Sequence, residues 1–322
     1  MINNVSFPKL NWSFDVNRVL ISGLFGRDVY WYGIIIGFGF LLAALYGFKR
    51  AKSFGLTADN IMDVLIWATP FSVVGARIYY VIFNLDAFKG KDFMDYVAFW
   101  DGGIAIYGAI IGAVTTAIIV CKLKKINIPN MFDLGALGLL IGQMIGRWGN
   151  FFNAEAFGVE MKSNLPWGMA IDFGEVVHPN FLYESLWNLL GFVILHFYSK
   201  HRKFKGEIFI LYIAWYGLGR GMIEGLRGGD ALMLFNSSLK VSQVLGYITL
   251  LVAAGVLVYN YIFRHHDRAE AALVCNKKTK ANKLNKDSTE DVEVAKVSET
   301  KEDSVIEKAE ISEKAPEEEE SE

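Results

Sequence analysis

The chain has 322 residues, 53% of them hydrophobic and 14% aromatic, with a formal net charge of −2 and a mean hydropathy of +0.29. That is too apolar for a water-soluble protein of this size, which leaves a membrane protein as the class. Nothing in the charge balance points to nucleic acid, and no HExxH, CxxC or Walker motif occurs, so no metal or nucleotide cofactor is indicated.

Residues 1–28 read as a short extracytoplasmic flank, with an interfacial helix using Phe7, Leu10, Trp12 and Phe14 as its expected form. They lack the basic start, apolar core and small-residue cleavage site of a removable signal peptide. Crossing a hydrocarbon core of about 30 Å takes about 20 helical residues. Seven segments qualify, at about 29–48, 61–83, 103–121, 131–147, 181–198, 207–225 and 241–263. The expected fold is therefore all-α, a polytopic bundle of seven transmembrane helices occupying 29–266. Lys49, Arg50 and Lys52 follow the first segment, Lys122, Lys124 and Lys125 the third, Lys200, Arg202, Lys203 and Lys205 the fifth, and Arg264 and Arg268 the seventh. The intervening loops are acidic or mixed, which predicts an outside N-terminus and a cytoplasmic C-terminus. Residues 267–322 contain no Phe, Trp or Tyr and carry ten Lys/Arg against seventeen Asp/Glu. They are expected to be a disordered, charged cytoplasmic tail. Cys121 and Cys275 both fall on the predicted cytoplasmic side, which argues against an external disulfide.

Polar residues within the apolar segments gather at one depth. Tyr32, Arg77, Tyr79, Tyr80, Tyr107, Arg147, Asn150, His178, Tyr183, Glu184, Tyr216, Arg220 and Glu224 all fall in the predicted outer half, while the inner halves read as almost purely apolar. Tyr216, Arg220 and Glu224 stand four residues apart and share one helix stripe, as Arg77 and Tyr80 share a face three apart. A self-neutralising Arg220–Glu224 pair and an Arg77 that snorkels to the interface explain each feature alone. Three arginines at one depth on three segments point further, because guanidinium groups match phosphate oxygens bidentately. A pocket of this kind in the outer leaflet suits an anionic phospholipid. The glycine run Gly138, Gly142 and Gly146 is read as helix packing. The competing reading is a transporter or flippase for an anionic lipid or solute. It should show polar groups reaching both faces and paired, broken helices, and no inverted repeat is visible.

The stretch Gly146-Arg147-Trp148-Gly149-Asn150-Phe151-Phe152-Asn153-Ala154-Glu155-Ala156-Phe157-Gly158 is similar to the signature GRxGNFxNxExxG. With Trp31-Tyr32-Gly33, Gly75-Ala76-Arg77-Ile78-Tyr79-Tyr80, Trp100-Asp101-Gly102-Gly103, His178 to Glu184, Tyr216 to Arg220, and Glu224, Arg227 and Asp230, the chain resembles the bacterial prolipoprotein diacylglyceryl transferases over nearly all of 1–266. The resemblance implies a multi-pass enzyme of the bacterial cytoplasmic membrane with its active site toward the outer leaflet. It implies transfer of the diacylglyceryl group of phosphatidylglycerol to the lipobox cysteine thiol of a prolipoprotein signal peptide, with a thioether formed and glycerol phosphate released. The expected catalytic residues are Arg147, Arg220, Tyr107 and His178. The expected phosphatidylglycerol-binding residues are Arg147, Asn150, Asn153, Glu155, Gly158, Tyr32, Arg77, Tyr80, Tyr216 and Glu224. One departure concerns the base. Relatives often carry a histidine four residues past the second glycine of Gly102-Gly103, where this chain has Tyr107. A phenol, with an ordinary pKa of about 10, is a poor base near neutrality. The arginine cluster is expected to favour the thiolate, with Tyr107 positioning the thiol or headgroup by hydrogen bonding.

Overall fold

The computed structural model describes residues 2–24, 27–163, 165–228 and 240–263. The predicted tail 267–322, with Cys275, and Asp230 lie outside the described residues.

The N-terminal flank is built of strands rather than the expected interfacial helix. Strands β1 (Ile2–Phe7) and β2 (Trp12–Asn17) pair antiparallel, with Val5 opposite Phe14, and β3 (Val19–Leu24) pairs with β4 (Arg27–Tyr30). A two-residue strand, β5 (Ala170–Ile171), adds to the free side of β1. The cause lies in the period: Trp12-Ser13-Phe14-Asp15-Val16-Asn17 alternates apolar and polar, which segregates faces on a strand and mixes them on a helix. The sheet turns Val5 and Val16 onto Met169 and Phe181, forming a small core of its own.

The helices follow. They are α1 (Trp31–Arg50), α2 (Ala58–Phe83), two short pieces α3 (Leu85–Phe88) and α4 (Phe93–Val97), α5 (Ile106–Leu123), α6 (Ile128–Asn153), α7 (Asn180–Tyr198), α8 (Glu207–Ile223) and α9 (Val241–Phe263). Each predicted apolar segment is thus a helix, with bounds shifted by a few residues. Among the described residues, five helical stretches are long and apolar enough to cross a membrane: α1 with its extension to Phe54, α2, α5, α6 and α9. Of the other two, α8 has only 17 residues, and α7 is interrupted by Asn180, Glu184, Asn188 and His196. Local chemistry sets the starts. Thr57 and Asn60 exchange side-chain and backbone hydrogen bonds in a capping box at α2. Asn127 accepts from Asn130 N (3.0 Å) just before Pro129 at α6.

Helix α6 is the axis, lying against α1, α7 and α8, while α2 pairs with α5 and α8 with α9. Its buried Leu134, Ala136, Leu137 and Leu140 meet Phe54, Val120, Cys121, Leu195 and Ile208. In lipid the gain from such packing is dispersion and fit rather than escape from water.

The Asp133 end of α6 corrects one sequence expectation, because it is not purely apolar. Asp133, with no exposure, accepts from Gly206 N (2.9 Å), Phe209 N (3.0 Å) and Arg202 Nη1 (3.1 Å). Gly206 offers α8 no side-chain cap, so a carboxylate from another helix takes the orphan N–H groups. Beside it Glu207 accepts from the Tyr198 hydroxyl (2.6 Å) and from Tyr261 and Lys203 N. The Tyr46 hydroxyl bonds His196 Nδ1 at 2.7 Å. Such residues escape a hydropathy reading because each is a single polar position in an apolar run.

Candidate active site

The other end of α6 carries the signature. Ala154, at φ 49°, ends the helix and turns the chain back, so that Glu155 Oε1 accepts from Asn150 Nδ2 (3.0 Å) and Asn153 Nδ2 (3.1 Å). Arg147, one turn before Asn150, donates from Nη1 to Asn150 Oδ1 at 3.4 Å. Its Nη2 forms an ion pair with Glu184 Oε2 of α7, the two side chains being 26% and 15% exposed. Tyr32 of α1 lays its ring on Gly149, where a Cβ would stand 2.7 Å from ring carbon Cδ2. Only glycine admits that approach.

A second group forms where α8 ends. Glu224, 4% exposed, sits 3.0 Å from Arg220 Nη1 and 3.7 Å from Arg227 Nη1. Lys240 closes the turn by donating from Nζ to the carbonyls of Glu224 (2.9 Å) and Arg227. Among the described residues cations outnumber carboxylates here, and the guanidiniums are a fifth to a third exposed. A surplus of partly accessible guanidinium in an apolar surround attracts an anion strongly, because little water screens it.

Gly158 joins the two groups. Its N–H donates to the His178 carbonyl (2.8 Å), and the next N–H, of Val159, donates to the Leu226 carbonyl (2.8 Å). A Cβ on Gly158 would stand 2.8 Å from both carbonyl oxygens. The loop after α6, the entry to α7 and the exit of α8 therefore converge on one glycine, the Arg147–Glu184 pair joining α6 to α7 near that entry and Arg220, Glu224 and Arg227 lying at that exit.

A family model described as prolipoprotein diacylglyceryl transferase matches residues 19–259. The chain belongs to this family. Proteins named phosphatidylglycerol–prolipoprotein diacylglyceryl transferase are similar to it. The one from Listeria monocytogenes serotype 4a (strain HCC23) is 43% identical over 244 residues, covering 73% of this chain and 87% of the relative. That of Finegoldia magna is 42% identical over 247 residues, covering 76% and 96%, and that of Clostridioides difficile is 41% identical over 247 residues, covering 77% and 96%.

The other residues expected at the site of this diacylglyceryl transferase family member are held as follows. Arg77 is buried, and its guanidinium donates to four carbonyls: Nε to Tyr96 (3.0 Å), Nη1 to Gly102 (2.7 Å) and Gly103 (2.8 Å), and Nη2 to Asp95 (2.5 Å). It also lies over the Tyr80 and Phe88 rings, 5.8 and 5.4 Å from their centres. Arg77 and Tyr80 thus pin the 95–103 segment to α2. The third accessible guanidinium beside Arg147 and Arg220 is Arg227. Tyr107, 53% exposed, belongs to the α2–α5 pair, its ring 6.2 Å from that of Tyr79, and among the described residues its hydroxyl has no hydrogen bond. His178 bonds through Nδ1 to the Tyr183 hydroxyl (3.1 Å), which also accepts from Trp167 Nε1 (2.8 Å). Tyr216, one turn before Arg220, tilts against Tyr212 at 6.2 Å, and the Tyr212 hydroxyl takes a 2.9 Å bond from Gln143 Nε2 on α6.

The sequence reading missed Glu184, Arg227 and Lys240 as site members. Glu184 had a usable signal, since a carboxylate inside an apolar helix requires a partner. Lys240 had none, because it acts by reaching back across a loop.

Proposed function

We propose that this chain transfers the diacylglyceryl group of phosphatidylglycerol to the cysteine thiol of a prolipoprotein lipobox, releasing glycerol phosphate. The observation that carries the reading is the meeting, at Gly158 of the signature, of the loop after α6, the entry to α7 and the exit of α8, with Arg147 on the first of these helices and Arg220 and Arg227 at the exit of the last. All seven long helices cross the bacterial cell membrane in this reading, with the N-terminus outside and the C-terminus cytoplasmic. The site then lies at the outer leaflet, at the depth of lipid phosphates. Burial of the polar positions of α7 and α8 within the bundle supports their crossing, because polar groups at membrane depth must be covered by protein.

In the reaction the thiolate sulfur attacks the glyceryl carbon bonded to the phosphate oxygen. A C–S bond forms, the C–O bond breaks, and its electron pair leaves on glycerol phosphate. Charge therefore grows on the phosphate, and the Arg147 and Arg220 guanidiniums stabilise it from fixed positions. Asn150, Asn153, Glu155 and Gly158 hold the Arg147 loop in shape, Glu224 orients Arg220 and Arg227, and Tyr32 and Tyr216 flank the headgroup. Arg77 and Tyr80 act one step removed, by holding the 95–103 segment. Residues 29–266 suffice for all of this, with 1–28 as an extracytoplasmic flank. The contacts of Asp133 and Glu207 at the far end are made within the fold, which supports an enzyme over a transporter. The test is purified protein in phosphatidylglycerol vesicles with a lipobox peptide, read by peptide mass. Gain of one diacylglyceryl group is expected, and an unchanged peptide mass refutes the reading.

A further inference from the structure

A cysteine thiol must lose a proton before it attacks. Nearby guanidiniums favour the thiolate but cannot accept that proton. Among the described residues, neither Tyr107 nor His178 hydrogen-bonds to Arg147, Arg220 or Arg227. Tyr107 stands with Tyr79 on the α2–α5 pair, and His178 is engaged through Nδ1 by Tyr183.

Three carboxylates occupy the site, and they differ in what holds them. Glu155 accepts from two asparagine amides and shapes its own loop. Glu224 lies between two guanidiniums and is almost completely buried. Glu184 has a single cation, Arg147, on Oε2, and its side chain remains 15% exposed; among the described residues its Oε1 makes no hydrogen bond, as is true of Glu155 Oε2 and Glu224 Oε1. Among the described residues the one partner of Glu184 is also the guanidinium that a lipid phosphate requires.

We propose that Glu184 is the base that takes the thiol proton, and that Arg147 frees it for this role when the lipid phosphate takes over the guanidinium. This assignment rests on the transferase reading above. Paired, Arg147 and Glu184 neutralise one another. A bound phosphodiester competes for the same N–H fork, and a carboxylate deprived of its cation in an apolar surround holds a proton more readily. The site therefore becomes basic only when lipid is present, which orders the reaction, lipid first and thiol second. The thiol proton passes to Glu184 as sulfur bonds to the glyceryl carbon and the C–O electron pair departs on the phosphate. The leaving glycerol phosphate then takes that proton from Glu184, and the Arg147–Glu184 pair re-forms.

The test uses the full chain in phosphatidylglycerol vesicles with two lipobox peptides, one carrying cysteine and one carrying selenocysteine, whose selenol is already ionised at neutral pH. Glu184→Gln keeps the size of the side chain and a hydrogen bond to Arg147. With the cysteine peptide its kcat is expected to fall by about 10²–10⁴-fold, the usual contribution of a general base. Its KM for phosphatidylglycerol should be unchanged or lower, because Arg147 is no longer occupied by a carboxylate. The selenocysteine peptide should recover most of the lost rate, and Glu184→Asp should retain part of it with cysteine. Equal loss with both peptides overturns the assignment, since Glu184 would then only hold Arg147 in place. So does a Glu184→Gln enzyme that remains as fast as wild type. Failure of the wild-type protein to modify either peptide refutes the transferase reading itself, and the base with it.

Discussion

The two ends of α6 use the same residue types for opposite purposes. At one end Asp133 and Glu207 are without exposure, and each is saturated, Asp133 by two backbone N–H groups and Arg202 and Glu207 by two tyrosine hydroxyls and backbone. Arg202 also lies 4.6 Å over the Phe54 ring. At the other end Arg147, Arg220 and Arg227 keep part of their surface, and Glu184 has an unbonded oxygen. A buried charge is a staple when every lone pair and proton is satisfied from within the fold. It becomes a site when some capacity is left over for a ligand.

The comparison can be broken most readily at Arg147. Arg147→Ala is expected to lower kcat by about 10²–10³-fold, the loss seen on removing one charge-stabilising donor from an active site, while folding is largely kept. Arg147→Lys should also be severely impaired, because an ammonium cannot reproduce the fork. Both are checked by glycerol phosphate release per folded molecule. Asp133→Ala should behave in the converse way. Removing one partner of a buried ion pair costs about 3–5 kcal/mol, so detergent melting should move far down, while the protein that remains folded turns over normally.

Smaller effects sharpen the contrast. Arg77→Met leaves four carbonyls without their donor. Hydrogen bonds to charged groups contribute about 1.5–3 kcal/mol each, so the 95–103 segment should become sensitive to protease and activity should fall indirectly. Tyr107→Phe removes a hydroxyl without a hydrogen bond, so its loss should stay below the range of about 10²–10⁴-fold that marks a general base, read as single-turnover rate at saturating lipid. Ending the chain after Arg268 should change neither insertion nor turnover, since the family match stops at 259.

Much of this was legible in the sequence where chemistry is local. The seven long helices follow apolar runs, and the Asn150–Glu155 and Arg220–Glu224 contacts join residues five and four apart. Contacts between helices were not legible. Arg147 meets Glu184 from another helix, and Asp133 caps α8 from 73 and 76 residues away, distances across which no periodicity carries information. The contacts of Arg77 were hidden for the same reason. Depth alone puts it level with Arg147, and only the fold shows that backbone carbonyls occupy its donors. The strands at 2–30 were readable in part, from the strict alternation of Trp12 to Asn17, but a membrane context favoured a helical reading of aromatic residues.

The most direct measurement compares glycerol phosphate release per folded molecule in Arg147→Ala and Asp133→Ala, in vesicles containing phosphatidylglycerol and a lipobox peptide. The expected result is a separation, with Arg147→Ala folded and nearly inactive and Asp133→Ala unstable but, where folded, active. A folded Arg147→Ala protein that releases glycerol phosphate at the wild-type rate would contradict the assignment of that end of α6 as the site of transfer.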